Sequence, residues 1–320
     1  MQLLQILHIL AALIHGISCS LSIWLHTDTI DGQVTLPHHT YMADPTASLK
    51  QYIVNATVTH EKVLYTNPMV WIAGNEGITF FSHLLALGLM FLDPSKLDIF
   101  ERRRRTIEYA FTAGILQVAL VLGVGSIALY DVLWLLGVNI AIQLLGWLAD
   151  DPRGKELRNW LLGIAFGLLS IEIFYVIMQS VNLNGIDSGP YVAMGVAYGV
   201  FYILFGVVKL IPAWERDQNE IYVLMSVTSK VALSWILIGN TFEGLKELGV
   251  KSEPFDHTWI DWRLIQIIIS STCGVILVGG IIAITMRKNE NILSSDDSVN
   301  QGFNGRERRT NYKYTEITSF

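Results

Sequence analysis

Two ionisable side chains stand where the cost of a charge is high. Lys230 lies in Ser226-Val227-Thr228-Ser229-Lys230-Val231-Ala232-Leu233, about ten residues into an apolar run that begins near Glu220, hence roughly 15 Å along a helix axis. A charge at the centre of a membrane helix costs about 2.5–3.5 kcal/mol even on the lenient insertion scale, so the group is a functional candidate by default. A lysine at that depth must be neutral, paired or covalently modified, and a desolvated amine is also what condenses with an aldehyde. Glu108, in Arg105-Thr106-Ile107-Glu108-Tyr109, lies about 9 Å into another run if that helix enters the membrane near Arg102. The two groups then reach compatible depths for an ion pair. Ser226 is one turn before Lys230 on the same face, where its hydroxyl can bond either group. Arg105, one turn before Glu108, competes for the carboxylate. The residues alone leave two arrangements open: a Lys230–Glu108 pair, or Glu108 within an interfacial arginine cluster and Lys230 lining a watery cavity.

Three further acids fall in or beside apolar runs. Glu172, in Leu169-Ser170-Ile171-Glu172-Ile173-Phe174, is close to the middle of its run; Glu76 follows Asn75, and Glu243 follows Asn240-Thr241-Phe242. Glu172 is either a proton-conducting group or a protonated, hydrogen-bonded acid with a structural role. With Glu76 and Glu243 it would line a route from Lys230 outward.

The elements that must position these groups are helices in a bilayer. The chain has 320 residues of which 52% are hydrophobic and 16% charged, against roughly 25% charged in a soluble domain. The charges cluster between continuous apolar runs at about 3–25, 69–92, 104–129, 131–149, 158–181, 190–213, 220–243 and 263–286, each near the ~20 residues that cross a bilayer as a helix. Continuous rather than alternating runs disfavour a barrel. The fold class is an all-α polytopic transmembrane bundle: a seven-helix domain over 1–247, an extra helix after an external linker within 248–288, and a disordered cytoplasmic tail over 289–320. Basic residues at Lys96, Arg102, Arg103, Arg104, Arg105, Arg153, Lys155 and Arg158 mark their loops as cytoplasmic. That places the N-terminus and the tail inside and a long loop, about 27–68, outside. The first run has no basic residue ahead of it, which favours a span over a cleaved leader. Asn55-Ala56-Thr57 in the outer loop is a glycosylation sequon. Cys19 and Cys273 both lie in apolar runs and imply no bridge. No phosphate-binding loop, zinc pair or nucleophile elbow is present, so the expectation is a protein that is not an enzyme and has no nucleic-acid partner.

The motif Arg105-x-Ile107-Glu108-Tyr109 on the third run, with Ser226-x-x-x-Lys230 and Trp235 on the seventh, resembles heliorhodopsin, a family of retinal proteins whose membrane orientation is inverted relative to other microbial rhodopsins. Gly137-Val138-Asn139 through Gly146, Ser82-His83, and Gly163 with Gly167 add to the resemblance, which extends from the first run through the seventh. It implies that Lys230 binds all-trans retinal as a Schiff base, with Glu108 as counterion and Ser226 hydrogen-bonded nearby. It implies too that Tyr109, Asn139 and Trp235 surround the chromophore, that His83, with His15 as a second member, belongs to a polar network on the cytoplasmic side, and that the protein is a homodimer.

Two features depart from the family pattern: the eighth apolar run, which puts the usual dimer in question, and Glu172, where an uncharged pocket is expected. Three functions compete. The first is a photoreceptor in which retinal isomerisation drives a slow conformational change. The second is a light-activated proton channel or transporter that uses Glu108, Glu172 and Glu76 or Glu243. The third is a transporter or receptor without retinal, in which Lys230 and Glu108 form an ordinary buried pair.

Overall fold

A computed structural model describes residues 2–27, 34–42, 57–66, 68–92, 97–123, 129–150, 156–181, 189–211, 214, 217–247 and 261–302. In chain order these form helix α1 (Gln2–Thr27), strands β1 (Val34–Met42) and β2 (Thr57–Thr66), and helices α2 (Pro68–Leu92), α3 (Leu97–Gly123), α4 (Leu129–Asp150), α5 (Arg158–Val181), α6 (Gly189–Leu210), α7 (Gln218–Glu247) and α8 (Trp262–Gly302). Among the described residues eight helices are long and apolar enough to cross a membrane. Each satisfies its own backbone, which lipid cannot do. Pro68 opens α2, where its missing N–H costs nothing. Asp261 caps α8, its Oδ1 accepting from Leu264 N at 2.9 Å.

Neighbours in sequence pack as neighbours in space from α1 to α7, and α1 closes the ring against α7. The helices alternate in direction, giving an end rich in arginine, where α1, α3, α5 and α7 begin, and an opposite end carrying the β1–β2 hairpin. Burial is uneven: 83% of the α7 span and 72% of the α3 span are buried, against at most 33% of any other. These two helices are the axis of the bundle, and a Cβ on Gly123 would run into Leu237, so a glycine keeps them close. Around that contact lies the main core, including Leu116, Leu120, Leu135, Met194, Leu233 and Leu237.

The structure differs from the sequence reading in three places. β1 and β2 pair antiparallel from Val34 opposite Thr66 to Met42 opposite Thr57, with an irregularity between Leu36 and Pro37; the all-α expectation had only a loop there. Proline cannot donate to the ladder, which is why the break falls beside it. Asn55, the sequon residue, lies outside the described residues. Helix α3 begins at Leu97 rather than near 104, so the arginines sit in its first turns instead of in a loop, held by pairs between Arg104 and both Glu101 and Glu108. Finally, α8 continues to Gly302, past residue 289 where a disordered tail was expected.

The extra helix α8 is seated on α7. Gln266 Nε2 donates to Ile236 O at 2.8 Å and to Asn240 Oδ1 at 2.9 Å. Trp262 stacks on Phe242 with ring centres 4.6 Å apart. A Cβ on Gly280 would overlap the Leu224 side chain, so the glycine leaves room for that leucine against α8.

Candidate functional site

Four helices turn polar stripes toward one another. On α3, Glu101, Arg104 and Glu108 follow i, i+3, i+7; on α2, Glu76, Thr79 and His83 repeat that spacing; on α7, Ser226, Lys230 and Ser234 are each one turn apart; on α1, His8 and His15 are two turns apart. These spacings put each set on one helix face. In a bilayer that face must point inward, and all of these side chains are buried.

Their centre is the Lys230–Glu108 pair. Lys230 Nζ donates to Glu108 Oε1 at 2.6 Å and to Thr79 Oγ1 at 2.9 Å. Glu108 Oε2 accepts from Ser82 Oγ at 2.6 Å and from the Arg104 guanidinium. Ser226 Oγ stands 3.5 Å from Glu108 Oε1. Arg104 turns its other nitrogens to Glu101, the nearest contact being 2.9 Å. The result is an alternating quartet, Glu101–Arg104–Glu108–Lys230, with two acids and two bases and no net charge. Burying such charges is tolerable only when every one is compensated and hydrogen-bonded. One side of the quartet continues into a histidine file. His8 and His83 share a hydrogen bond between their Nδ1 atoms at 2.7 Å, and His15 stacks on His83 with ring centres 5.8 Å apart. His15 Nδ1 donates to Glu76 Oε2 at 2.6 Å, while Ser234 and Asn75 donate to Glu76 Oε1.

On the other side of Lys230 opens a cavity of about 110 Å³. Its walls come from α3 (Tyr109, Ala113, Leu116), α5 (Leu162, Ala165, Phe166, Leu169), α6 (Tyr202, Phe205) and α7 (Ser229, Leu233), with Lys230 among them. The lining is mostly apolar and aromatic, and the amine is set against the Tyr109 ring at 4.9 Å. A long apolar ligand carrying an aldehyde fits this donor set: carbon surface along the walls and, at Lys230, a nucleophilic nitrogen with a carboxylate behind it to balance a positive charge, whereas the other lysine on the wall, Lys209, is held by Asp150 at 2.7 Å.

The residues singled out from sequence divide into groups. Lys230, Glu108 and Ser226 meet at one point, and Tyr109 borders it, its hydroxyl donating to Tyr222 O at 3.1 Å. His83, His15 and Glu76 lie in the file beside it. Arg105 does not reach Glu108. Its guanidinium donates to Asn219 Oδ1 at 3.1 Å and covers the Tyr222 ring at 4.0 Å, because one residue along a helix turns a side chain by about 100°. Asn139 does not line the cavity; its amide donates to Tyr109 O at 2.9 Å and Ala110 O at 2.8 Å, tying α4 to α3. Trp235 also lies off the cavity, packed beside Val231, Ala232 and Cys273 towards α8. Glu172 belongs to a different cluster: it accepts from Gln117 at 2.8 Å, and Gln117 also bonds Tyr198. Among the described residues no hydrogen bond joins it to Glu76. The side chain of Glu243 lies outside the described residues. Sequence reasoning missed Arg104, Thr79, His8, Glu101 and Gln117 as members of these clusters. The signals were present for two of them: the four-residue step from Arg104 to Glu108, and the seven-residue step from His8 to His15.

A family model described as Heliorhodopsin matches residues 4–242. The chain therefore belongs to the heliorhodopsin family, whose members are retinal-type membrane photoreceptors and, as a rule, not enzymes. The match ends inside α7 and leaves α8 beyond it. No curated protein matches the chain.

Proposed function

We propose that this member of the heliorhodopsin family is a light receptor whose chromophore is all-trans retinal carried on Lys230. The observation that supports the reading best is the Lys230 amine on the wall of an apolar cavity with Glu108 2.6 Å away. Retinal, linked to Lys230 as a Schiff base, supplies absorption of visible light and isomerisation. Every other part of the task falls to side chains. Glu108 balances the positive nitrogen, and low dielectric around the pair strengthens that balance. Ser82 and Arg104 fix the orientation of the Glu108 carboxylate, and Tyr109, Phe166, Leu169, Tyr202 and Phe205 exclude water from the chamber. A change of geometry at Lys230 withdraws one of the two cations on Glu108, leaving Arg104 as the other. The quartet must then rearrange, and α7, which carries Lys230, relaxes slowly into a form that a signalling partner reads. The arginine-rich end faces the cytoplasm in this reading, the hairpin faces outside, and two copies pair as the family resemblance implies.

The test is a visible spectrum of the purified chain incubated with all-trans retinal. A visible absorption band is expected, and Lys230→Ala should abolish it. A colourless protein, or a band that survives the substitution, would overturn the reading and leave a transporter or receptor in which the pair is structural.

A second reading, light-activated proton movement, is favoured by two wholly buried acids outside the pair, Glu76 and Glu172. Illuminated patch-clamp recording separates the two. Photocurrents lost in Glu172→Gln would establish transport through that residue, and silence at all voltages and pH gradients would leave the receptor.

A further inference from the structure

The cavity beside Lys230 has a second charged end that the light-receptor reading does not use. Arg105 on α3 and Lys209, in the last turn of α6, both line it toward the arginine-rich end. Gly146 leaves room for the Lys209 ammonium, since a Cβ there would stand 3.2 Å from Nζ. That Nζ donates to Asp150 Oδ2 at 2.7 Å and to Gly146 O at 2.9 Å, which leaves one of its N–H groups over. Arg158, exposed at the start of α5, gives an N–H to Lys209 O at 3.1 Å. Arg105 is buried, yet among the described residues no carboxylate lies within ion-pair distance of it. It donates to the neutral Asn219 Oδ1 at 3.1 Å, and its guanidinium covers the Tyr222 ring at 4.0 Å. Asp150 balances Lys209 and Glu108 balances Lys230, so Arg105 is left as an unmatched positive charge on the cavity wall. A buried charge without a counterion is costly, and an anion brought to it is stabilised.

An aromatic wall joins this end to Lys230. Tyr222 and Phe205 stack with ring centres 6.0 Å apart, Phe205 and Tyr109 meet edge-on at 5.2 Å, and Lys230 Nζ lies 4.9 Å from the Tyr109 ring. We propose that the arginine-rich end of the cavity binds the carboxylate of a single-chain fatty acid, whose hydrocarbon tail lies along the aromatic wall. The planar fork of Arg105 matches the two oxygens of a carboxylate. The remaining N–H of Lys209 and the amide of Gln143, which lines the same wall and has no hydrogen-bond partner among the described residues, are further donors. A fatty acid brings one negative charge, as many as the wall leaves unmatched, and Asp150 beside Lys209 disfavours a dianion. A cavity of about 110 Å³ favours one chain over the two of a glycerophospholipid. The tail and a polyene on Lys230 would use the same walls, so acid and aldehyde exclude each other. That exclusion rests on the light-receptor reading; the acid site does not.

The experiment uses the full chain in phosphatidylcholine nanodiscs, first without chromophore. Lauric acid labelled with ¹³C at its carboxyl is titrated in and followed by NMR. A second carboxyl resonance, resolved from that of acid dissolved in the lipid and saturating at one per chain, is expected, and Arg105→Gln should abolish it. Its absence from the unsubstituted chain, or its survival in Arg105→Gln, overturns the proposal. Phosphatidylglycerol in place of phosphatidylcholine separates the two sources of an anionic head: the resonance should persist, and its loss would give the site to the phospholipid instead. Should Arg105→Gln fail to fold, Lys209→Gln probes the same end. It turns Asp150 toward the carboxylate without a cation between them and should weaken binding at least tenfold; an unchanged titration counts against the site. The second arm adds all-trans retinal and follows the visible band. Lauric acid should slow its rise at least tenfold, and dodecanol, which has the chain without the charge, should not. No slowing by the acid, or equal slowing by both, overturns the placement of head and tail. If the chain stays colourless the light-receptor reading fails, and the carboxyl resonance alone decides the acid site.

Discussion

Glu108 and Glu172 are both buried carboxyl groups inside one bundle, yet their surroundings share nothing. Glu108 receives Lys230 and Arg104 on its two oxygens, with Ser82 and Ser226 beside them. Glu172 receives one amide from Gln117 on one oxygen, while its other oxygen has no partner among the described residues. The first acid is anchored in a neutral chain of alternating charges; the second meets only neutral dipoles. A buried carboxyl is therefore no guide to role until its donors are counted. A carboxylate holding two cations is suited to respond when one of them changes, whereas a lone acid among dipoles is suited to hold helices together or to hand on a proton.

That contrast can be broken by substitution. The largest effect is expected at Glu108→Gln. Removing the balancing charge should move the visible band of the retinal-loaded protein or cost the Lys230 nitrogen its proton near neutral pH, and a spectrum and pH titration identical to the unsubstituted protein would exclude Glu108 from the role. Arg104→Gln should do less. It strips one of two cations from Glu108 and leaves Lys230 in place, so the band should shift in the direction opposite to Glu108→Gln. Because Glu101 then keeps only His8, 3.5 Å away, thermal unfolding should show a loss of roughly 3–5 kcal/mol, the scale for breaking a buried pair. At Glu172 the spectrum should move least. Glu172→Leu leaves the Gln117 amide short of an acceptor and should cost about 1–3 kcal/mol, while Glu172→Gln keeps a hydrogen-bonding group and should cost under about 1 kcal/mol. Equal destabilisation by the two would show that Gln117 does not depend on that oxygen.

The bundle was legible because its signal is long. Eight continuous apolar runs admit little but helices, and even the extra run after Glu243 announces itself by length. The hairpin was not legible, since a two-stranded ribbon in a polar loop buries too little to leave a strong pattern. Within the site, Lys230 and Glu108 stood out because charge in an apolar run is rare. Choosing Arg105 over Arg104 was the natural slip in a row of four arginines, where all are polar and only the helix phase decides which one points inward. Asn139 and Trp235 stand beside the chromophore only by resemblance, a placement that periodicity neither supports nor opposes. Whether an aromatic faces a cavity or a neighbouring helix depends on α8, which packs against the Trp235 side of α7.

The eighth crossing also changes what the two extremities of the chain can sense. Seven passes would set them on opposite faces of a bilayer; eight alternating helices set the start of α1 and the far end of α8 at the same end of the bundle. A fluorescent tag fused to either extremity would report on one shared compartment, and proteins recruited by one would find themselves within reach of the other.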